Sequence, residues 1–381
     1  MMTQGLEFTG KEPFKDVLIH GMVRDNIGRK MSKTLGNGVD PMEVMEQYGA
    51  DSLRFSVISG TTMGNDIKYM PEKLEQASNF ANKIWTAAKF ITMNTASDEE
   101  IIKFYEDEFK KDSLKIEDKW IINKLNKLIL EVSRNIDNYD LGIALDNIYS
   151  FIRDEFCDWY IEISKSRIYS EDTQERITVS FVLNYVFGIS MKLLHPFMPF
   201  VTTKIYNNLV KYDNTELMIS KWPEIKETFE YEEEEKFIET VKEIIVEIRN
   251  IRAKMNVHPS RKVRLIFVTT EYSNEIQMTR DFIQKLGFGQ EVVIQSNKDG
   301  VAENAISIVK EGLELYMPLE GLVDLAEEAK RKEEERKKIE FEIQRAEKML
   351  SNPGFINKAP QAKIDEEKEK LEKYKDMLSK L

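Results

Sequence analysis

Apolar residues recur at three- and four-residue spacing from Pro71 to about residue 225, which is the period of one face of an α-helix. Several such stripes follow one another along this stretch. They are Leu74, Ala77, Ala81, Ile84 and Ala88; Leu125, Leu128, Val132 and Ile136; Leu141, Ala144, Ile148 and Phe151; Val179, Val182, Val186 and Leu193; and, after Pro199, Ile205 and Leu209. Because amphipathic helices bury their stripes against one another, residues 71–225 are predicted to form a helix bundle.

The first 70 residues have a different pattern. The opening residues indicate a loop, and the apolar run at 17–20 (VLIH), closed by Gly21, predicts a short buried strand. A polar loop that contains Gly28 and Gly36 follows this run.

A well-marked helix start comes directly after the polar loop. Asp40 can cap the first turn, with Glu43 completing a capping box, and Pro41 suits the first helical position. Gly49 is placed to end the helix. The sequence therefore predicts a strand, a loop and a capped helix in that order.

Residues 226–318 are predicted to form a small α/β module. A helix ending near Ala253 opens the segment, and the pattern then changes to alternation, which is typical of strands. The alternating residues are Val263, Leu265 and Phe267, followed by Ile306 and Ile308 and then Leu313 and Leu315. The last two pairs flank residues 310–312 (KEG), which predicts a hairpin.

The residues beyond Pro318 keep a strict three-four spacing that is typical of a coiled coil. The first stripe is Leu322, Leu325, Ala329, Lys332, Arg336, Ile339, Ile343, Ala346 and Leu350, and the second is Ile364, Leu371, Tyr374, Leu378 and Leu381. Pro353 and Gly354 separate them, so residues 319–381 are predicted to fold back as an antiparallel coiled-coil hairpin. Lys332 and Arg336 at seam positions disfavour a parallel dimer, and a monomer is expected.

Composition narrows the class without changing this mainly helical picture. The chain has 381 residues, of which 32% are charged and few are Gly or Pro, so several domains with solvated helices are expected. The N-terminus has no apolar signal segment, and no uninterrupted apolar run approaches the ~18 residues of a membrane helix. We predict a cytoplasmic protein without a membrane span. Cys157, the single cysteine, lacks partners at metal spacing, so no protein-bound metal is predicted.

Charge is segregated along the chain, although the net charge is −12. The stretch from Arg249 to Arg264 has no acidic residue, whereas Glu232 to Glu235 is an unbroken acidic run. The basic residues are Arg249, Arg252, Lys254, Arg261, Lys262 and Arg264. They are candidates for phosphate contacts with a nucleic acid, which the acidic run would repel; the alternative is a solvated linker next to a solvated helix face.

The loop at 28–37 (GRKMSKTLGN) is the candidate for chemistry, because it carries Lys30 and Lys33 between a predicted strand and a capped helix. Two ammonium groups there suit a polyphosphate. When ATP expels pyrophosphate, negative charge builds on the departing phosphates, so a loop lysine can stabilise the transition state more than the ground state. The alternative for an isolated Lys-x-x-Lys is a solvated basic loop.

The segment KMSKT at 30–34 resembles the KMSKS signature of class I aminoacyl-tRNA synthetases, with Thr34 in the last serine place. Flanking segments extend the resemblance to the hydrophobic-amino-acid subgroup, and to the valyl enzymes within it. These segments are 36–41 (GNGVDP), 48–55 (YGADSLRF), 64–67 (GNDI), 154–160 (DEFCDWY), 194–200 (LHPFMPF), 319–325 (LEGLVDL) and 350–355 (LSNPGF). The likeness covers nearly the whole chain.

The resemblance implies a reaction and a division of labour. Valine and ATP, with Mg²⁺ on the ATP, would form valyl-adenylate, and the valyl group would move to the valine tRNA. Lys33 matches the ATP-contacting lysine of the family, Met31 and Ser32 would position the loop, and Lys30 would add a weaker contact. Residues 1–70 would end a Rossmann-like class I catalytic domain, 71–225 would bind the anticodon, 226–318 would link, and 319–381 would lie along the tRNA.

One part of the class I pattern is missing from this sequence. The family's His-x-Gly-His signature does not occur, since the histidines are His20, His195 and His258. We therefore expect a C-terminal portion that binds tRNA without catalysing on its own, with valine contacted elsewhere. The alternatives are an isoleucyl- or leucyl-type fragment, a stand-alone tRNA-binding module and a coiled-coil interaction protein.

Several other residues have a structural and a functional interpretation. The three histidines are expected to be structural, although His20 precedes the loop at 28–37 by only a few residues in sequence. Trp159 and Tyr160 could stack on an anticodon base, because aromatic rings bind unpaired bases, but core packing is favoured.

Overall fold

The computed structural model describes residues 1–106, 113–212, 215–225, 231–318, 325–351 and 371–374, with the backbone alone at 325–335 and 338. Two compact units divide the chain, Met1–Lys242 and Glu243–Leu381. The division falls within one helix. Most elements of the first unit are helices, and the second unit contains a four-stranded sheet. The mainly helical class predicted from the sequence is confirmed.

The N-terminal elements of the first unit are short. They are α1 (Met2–Thr9), β1 (Val23–Arg24), α2 (Pro41–Tyr48), α3 (Ala50–Ile58) and β2 (Ile67–Lys68). β1 and β2 pair in parallel, with Val23 opposite Ile67.

Two predictions for this region are wrong. The opening residues form α1, which ends where Gly10 adopts φ 68° and donates its amide to the Leu6 carbonyl. The run at 17–20 is not a buried strand, because Val17 is 73% and Ile19 is 76% exposed. An apolar run becomes a strand only beside a neighbouring strand, and in the described chain the pairing begins at Val23.

The helix predicted after the loop at 28–37 is confirmed as α2. Asp40 accepts a hydrogen bond from the Met42 amide at 2.8 Å, Pro41 is the first helical residue, and Gly49 ends the helix at φ 85°. The cap differs in detail from the predicted capping box, since the Asp40 carboxylate contacts the second amide of the helix, not that of Glu43. The start and the end of α2 are thus fixed by residues at its own termini.

Residues 71–225 contain the predicted succession of helices. They are α4 (Pro71–Asn94), α5 (Asp98–Glu106), α6 (Ile116–Asp137), α7 (Leu141–Ser150), a π-helix (Phe151–Tyr160), α8 (Ile161–Ile168), α9 (Thr173–Leu194), α10 (Pro199–Tyr206) and a 3₁₀ turn (Leu217–Ile219). Stripe residues such as Leu74, Leu125 and Val182 are fully buried. The core is therefore built from the faces that the spacing indicated.

α9 is long and apolar enough to span a membrane by length and composition alone, and it is the one such helix in the described parts of the chain. Of its most apolar 18-residue window, 78% is buried inside the protein. Its packing against α5, α6 and α8 is that of a central core helix.

α11 (Glu232–Lys254) begins with the acidic run, which does not form a free acidic surface. Lys119 of α6 pairs with Glu234 at 3.0 Å, and Lys127 pairs with Glu232 at 3.1 Å and with Glu235 at 3.0 Å. Three of the four carboxylates therefore pair with lysines of α6, although Glu232 and Glu233 remain exposed. Repulsion of RNA by this run stays a prediction.

The second unit contains a sheet of four strands in the order β4-β3-β6-β5. The elements are β3 (Val263–Val268), α12 (Ser273–Met278), α13 (Arg280–Leu286), β4 (Gly289–Gln295), β5 (Ile306–Lys310) and β6 (Leu313–Met317). The predicted hairpin is confirmed, with Lys310 opposite Leu313 and Gly312 at φ 73° in the turn. β4, which pairs in parallel with β3, was not predicted.

α14 (Leu325–Leu350) is the first helix of the predicted coiled coil. Ile339, Ile343 and Ala346 are buried at the predicted spacing. Arg336, however, is not buried in a seam, since its side chain is 59% exposed and its Nε pairs with Glu340 at 2.9 Å. The reversal at 353–354 and most of the predicted second stripe lie outside the described residues.

Candidate functional site

The lysine loop, residues 25–37, is closed by the Asp25 carboxylate, which was not predicted from the sequence. Asp25 is 6% exposed and accepts hydrogen bonds from the Arg29 amide (2.7 Å), Arg29 Nε (2.8 Å) and Asn37 Nδ2 (2.9 Å). These donors, with the Asn37 contact contributing most, lower the pKa of Asp25 to about 2. Asp25 is therefore ionised at neutral pH and joins the two ends of the loop.

Asn37 completes this closure from the other end. Its Oδ1 accepts from the Ser32 amide at 2.9 Å, and its Nδ2 also lies 3.3 Å from the Lys30 carbonyl. Ser32 Oγ in turn accepts from the Leu35 amide at 3.2 Å. We call residues 25–37 the lysine loop and the contact between Asp25 and Asn37 the loop clip.

The two candidate lysines lie on the exposed side of the lysine loop. Lys30 and Lys33 are exposed, whereas Met31 and Ser32 are half-buried. Among the described residues, no carboxylate lies within ion-pair distance of either ammonium group. The turn at Gly36, at φ 61°, lets the Gly36 amide reach the Lys33 carbonyl at 3.2 Å. Two unpaired cations on a closed loop can meet phosphate oxygens without first breaking an ion pair.

The base of the lysine loop is held by the segment 64–67. Asp66 accepts from the Met22 amide at 2.8 Å and from Arg24 Nε at 2.5 Å, which fixes β1 beside β2. Gly21 lies against Asn65, where an added Cβ would be 1.8 Å from the Asn65 carbonyl oxygen. The residues that resembled a family segment therefore serve here to anchor the strand that leads into the loop.

A largely apolar cleft of about 520 Å³ lies beside the lysine loop. Lys30 and Met31 line it together with His20, Met63 and Ile67. His20 bonds through Nδ1 to the Gly21 carbonyl at 2.7 Å. Proximity of His20 to the loop is thus seen in three dimensions as well as in sequence.

Two segments that were recognised separately in sequence contact each other. Asp51 of α3 accepts from the Phe200 and Val201 amides at 3.2 and 2.7 Å, which caps the start of α10. Arg54 donates to the carbonyls of Pro196 (2.8 Å) and Phe197 (3.0 Å). α3, which follows α2, is therefore held against the bundle by the side chains of Asp51 and Arg54, which bond to backbone groups at the start of α10 and just before it.

The basic stretch in the second unit is divided between surface and interior. Arg249, Lys254, Lys262 and Arg264 are exposed and Arg261 is half-buried. Arg264 pairs with Glu291 at 2.6 Å, and Arg249 donates to the Leu286 carbonyl at 3.3 Å.

Arg252 differs from the others, because it is only 4% exposed. Its Nη2 donates to the carbonyls of His258 (3.0 Å) and Arg261 (2.7 Å), and its guanidinium lies 4.7 Å from the centre of the Phe288 ring. Burial lowers the pKa of Arg252. This side chain holds the loop that carries Arg261 and Lys262 and is not on a surface that RNA can reach.

The remaining candidates fall into the interior or into local contacts. Tyr160 is fully buried and donates to Asp118 at 2.6 Å, so its ring cannot stack on a base, whereas Trp159 is half-buried. His195 contacts Thr202 Oγ1 at 2.9 Å, and burial lowers its pKa. Burial raises the pKa of the Cys157 thiol to about 12. Among the described residues, no cluster of three His, Cys, Asp or Glu could hold a metal ion.

The lysines thus lie in an exposed loop, as the sequence predicts, but the residues that shape this loop, namely Asp25, Asn37 and Asp66, were not predicted. A signal was present for the first two, since polar residues that can bond to backbone amides stand at both ends of a Gly-rich loop. No local signal links Asp66 to Met22, because 44 residues separate them.

Three family profiles match separate parts of the chain. Residues 1–70 match class I tRNA synthetases of the I, L, M and V group, residues 118–267 match the anticodon-binding domain of tRNA ligases, and residues 324–381 match the tRNA-binding arm of valyl-tRNA synthetases. These matches place the chain among the class I aminoacyl-tRNA synthetases.

Curated relatives narrow this class. The valine–tRNA ligase of Clostridium acetobutylicum is 44% identical over 379 residues, which is 99% of this chain and 42% of the relative. That of Clostridium tetani is 46% identical over 378 residues, again 99% and 42%. The valine–tRNA ligase of Oceanobacillus iheyensis is 40% identical over 383 residues, which is 100% of this chain and 43% of the relative.

The chain belongs to the valyl-tRNA synthetase family and corresponds to its C-terminal portion. It spans less than half the length of the curated relatives that it matches.

Proposed function

We propose that this chain supplies the tRNA-binding portion and the ATP-contacting lysine loop of a valine–tRNA ligase, which joins valine to its tRNA through valyl-adenylate. The observation that carries this proposal is the pair of exposed lysines, without an ion-pair partner among the described residues, on a closed loop in a chain that also matches anticodon-binding and tRNA-binding family models. The stand-alone tRNA-binding module is not favoured, because residues 1–70 match the class I enzyme family. The isoleucyl and leucyl alternatives are not favoured either, because the relatives above are valine–tRNA ligases.

The lysine loop would act on the phosphates of ATP. The Lys33 ammonium would stabilise the negative charge that builds on the departing pyrophosphate, and Lys30 would add a weaker contact. Mg²⁺ would travel with the ATP phosphates as part of the substrate. Met31 and Ser32 would fix the loop backbone, in keeping with their half-buried positions and with the hydrogen bonds of Ser32. No nucleophile from the protein is required.

The rest of the chain would bind the valine tRNA. The bundle at 71–225 would receive the anticodon, the α/β module at 226–318 would link, and the hairpin at 319–381 would lie along the RNA. Valine would be contacted by a part of the ligase outside this chain. A cytoplasmic monomer is the state that we propose for the protein.

The chain by itself is predicted neither to activate valine nor to exchange pyrophosphate with ATP, because its sequence lacks the His-x-Gly-His half of a class I ATP site. The measurement is valine-dependent exchange of labelled pyrophosphate into ATP. A complete ligase assayed alongside is the positive control. Exchange by the purified chain above background would contradict the prediction.

The chain is predicted to bind the valine tRNA with a strong dependence on salt. If three to five phosphates are neutralised, the logarithm of affinity should fall with the logarithm of salt at a slope of about −2 to −5. Lys254→Gln and Lys262→Gln should each make the slope shallower by about 1, since both side chains are exposed. Arg252 is left unchanged in this test, because its loss would disturb the fold of the loop rather than a phosphate contact.

The matched control for the salt titration is Lys298→Gln, which removes the same charge from an exposed position that pairs with Glu314. It should leave the slope unchanged. Each test variant should lose the same factor of affinity for the valine tRNA and for a tRNA with an altered anticodon, because phosphate contacts do not read sequence. If Lys254→Gln and Lys262→Gln have the same slope as the wild type, the prediction is wrong and the basic stretch is a solvated linker that does not contact phosphates.

A further inference from the structure

We propose that Asp25 and Asn37 are positioning residues that hold the lysine loop in the shape that presents Lys33 to ATP. This inference rests on the proposed function, because it assigns a role within the same site. Neither residue is proposed to touch the substrate. Their effect would pass through the backbone of residues 30–36.

The bonding of Asp25 is the first reason. A carboxylate that is 6% exposed loses most of its hydration, so it must be compensated by donors within the protein. Asp25 has three of them, and all lie in the lysine loop itself, at Arg29 and Asn37. The Asp25 amide also donates to the Arg29 carbonyl at 2.9 Å, and its carbonyl accepts from the Gly28 amide at 2.9 Å. Asp25 therefore organises the entry to the loop.

The use of both ends of the Asn37 amide is the second reason. Nδ2 donates to Asp25, and Oδ1 accepts from the Ser32 amide, which directly precedes Lys33. One side chain thus ties the entry, the exit and the middle of the loop together. Replacing the amide by a carboxylate keeps the acceptor for Ser32 but sets a second negative charge 2.9 Å from Asp25.

The loop clip matters because the segment between its ends is otherwise exposed. Lys33, Thr34, Leu35 and Gly36 are all exposed, so few packing contacts restrict them. Closing a loop of about a dozen residues costs conformational entropy, which the hydrogen bonds of the clip must offset. With the clip intact, Lys33 is held near one position before ATP arrives, which is the pre-organisation that electrostatic catalysis requires.

The test uses a complete valine–tRNA ligase that carries this chain. Asn37→Asp is expected to slow valyl-adenylate formation by about 10- to 100-fold, the range for losing a hydrogen bond to a charged group. The KM for ATP should change little, because the substitution displaces Lys33 in the chemical step and leaves ground-state binding of ATP nearly unchanged. The swapped pair Asp25→Asn with Asn37→Asp again sets one amide against one carboxylate. It should recover at least about tenfold of the lost rate.

A second readout does not depend on the reaction. Trypsin cleaves after Arg29, Lys30 and Lys33, and an opened loop is a better substrate than a closed one. Asn37→Asp should speed cleavage at these sites by about tenfold, and the swapped pair should slow it again. The matched control is Asn26→Asp, which makes the same charge change at an exposed position of the same loop without a described side-chain hydrogen bond. It should leave both the rate of adenylate formation and the rate of cleavage near wild type.

The outcomes separate this inference from the proposed function. Faster cleavage together with a slower, swap-recovered rate of adenylate formation supports positioning through the clip. An Asn37→Asp enzyme with unchanged adenylate formation overturns the inference while the proposed function stands. Equal effects of Asn26→Asp and Asn37→Asp also overturn it. If the wild-type ligase forms no valyl-adenylate, the proposed function fails, and unchanged cleavage in Asn37→Asp would then reject the clip as well.

Discussion

Replacing Lys33 with alanine in a complete ligase is expected to slow valyl-adenylate formation by roughly 10²–10³ while ATP affinity in the ground state stays nearly unchanged. This range is typical when a single donor to the transition state is removed. The physical reason is that charge on the departing phosphates grows as the reaction proceeds, so the ammonium contributes more at the transition state. Rapid-quench measurement of the adenylate, with an independent ATP binding titration, checks both halves of the statement.

Two comparisons sharpen the test of Lys33. Lys30→Ala should reduce the rate less, since Lys30 is assigned the weaker contact. Lys11→Ala, which removes an exposed lysine outside the loop, should leave the rate unchanged. A weaker ATP dissociation constant that accounts for the whole effect, with an unaltered chemical step, would contradict the role at the transition state.

Replacing Arg167 with methionine is expected to lower the free energy of unfolding of this chain by about 3–5 kcal/mol. Arg167 is 5% exposed, and its Nη1 donates to Glu117 (3.0 Å) and Asp118 (2.7 Å), which are 4% and 0% exposed. Tyr160 donates to the same oxygen of Asp118 at 2.6 Å. Removal of the guanidinium leaves two buried carboxylates without a cation, and urea denaturation followed by circular dichroism measures the loss.

The matched control for Arg167 is Lys165→Met, two residues earlier in α8. Lys165 pairs with Glu162 at 2.6 Å, but both side chains are about one-third exposed or more, so the change should cost less than about 1 kcal/mol. Similar losses in the two variants would mean that burial does not set the cost of the pair.

The loss caused by Arg167→Met should depend on pH in a defined direction. Burial raises the pKa of Glu117 above its ordinary value, which is about 4.3 in an unfolded chain. A carboxyl with a raised folded-state pKa gives stability that is fully present below the unfolded pKa and is lost as pH rises through the folded pKa. Without Arg167 the pKa rises further, so the difference from wild type should be larger at neutral pH than near pH 5.

Elements that depend on a neighbouring residue in sequence were predictable. α2 has its cap at Asp40 and its stop at Gly49, and the hairpin of β5 and β6 turns at Gly312, so the determinants lie within one turn of the element. The helical stripes were likewise predicted correctly, because the buried face of a helix carries apolar residues at a fixed three- and four-residue spacing. β4 was not predicted. It pairs with β3 although two helices separate the strands in sequence, and a local pattern of residues does not indicate such a pairing.

The sequence by itself determined the helical class, the stripes that form the core and the position of Lys30 and Lys33 in an exposed loop, since each follows from residues close together along the chain. Only the tertiary structure decided which charged groups are free. It buried Arg252, paired Glu232, Glu234 and Glu235 with lysines of α6, and left the apolar run at 17–20 exposed. The physical reason is that hydration and ion pairing depend on neighbours in space, and those neighbours are brought from distant parts of the chain.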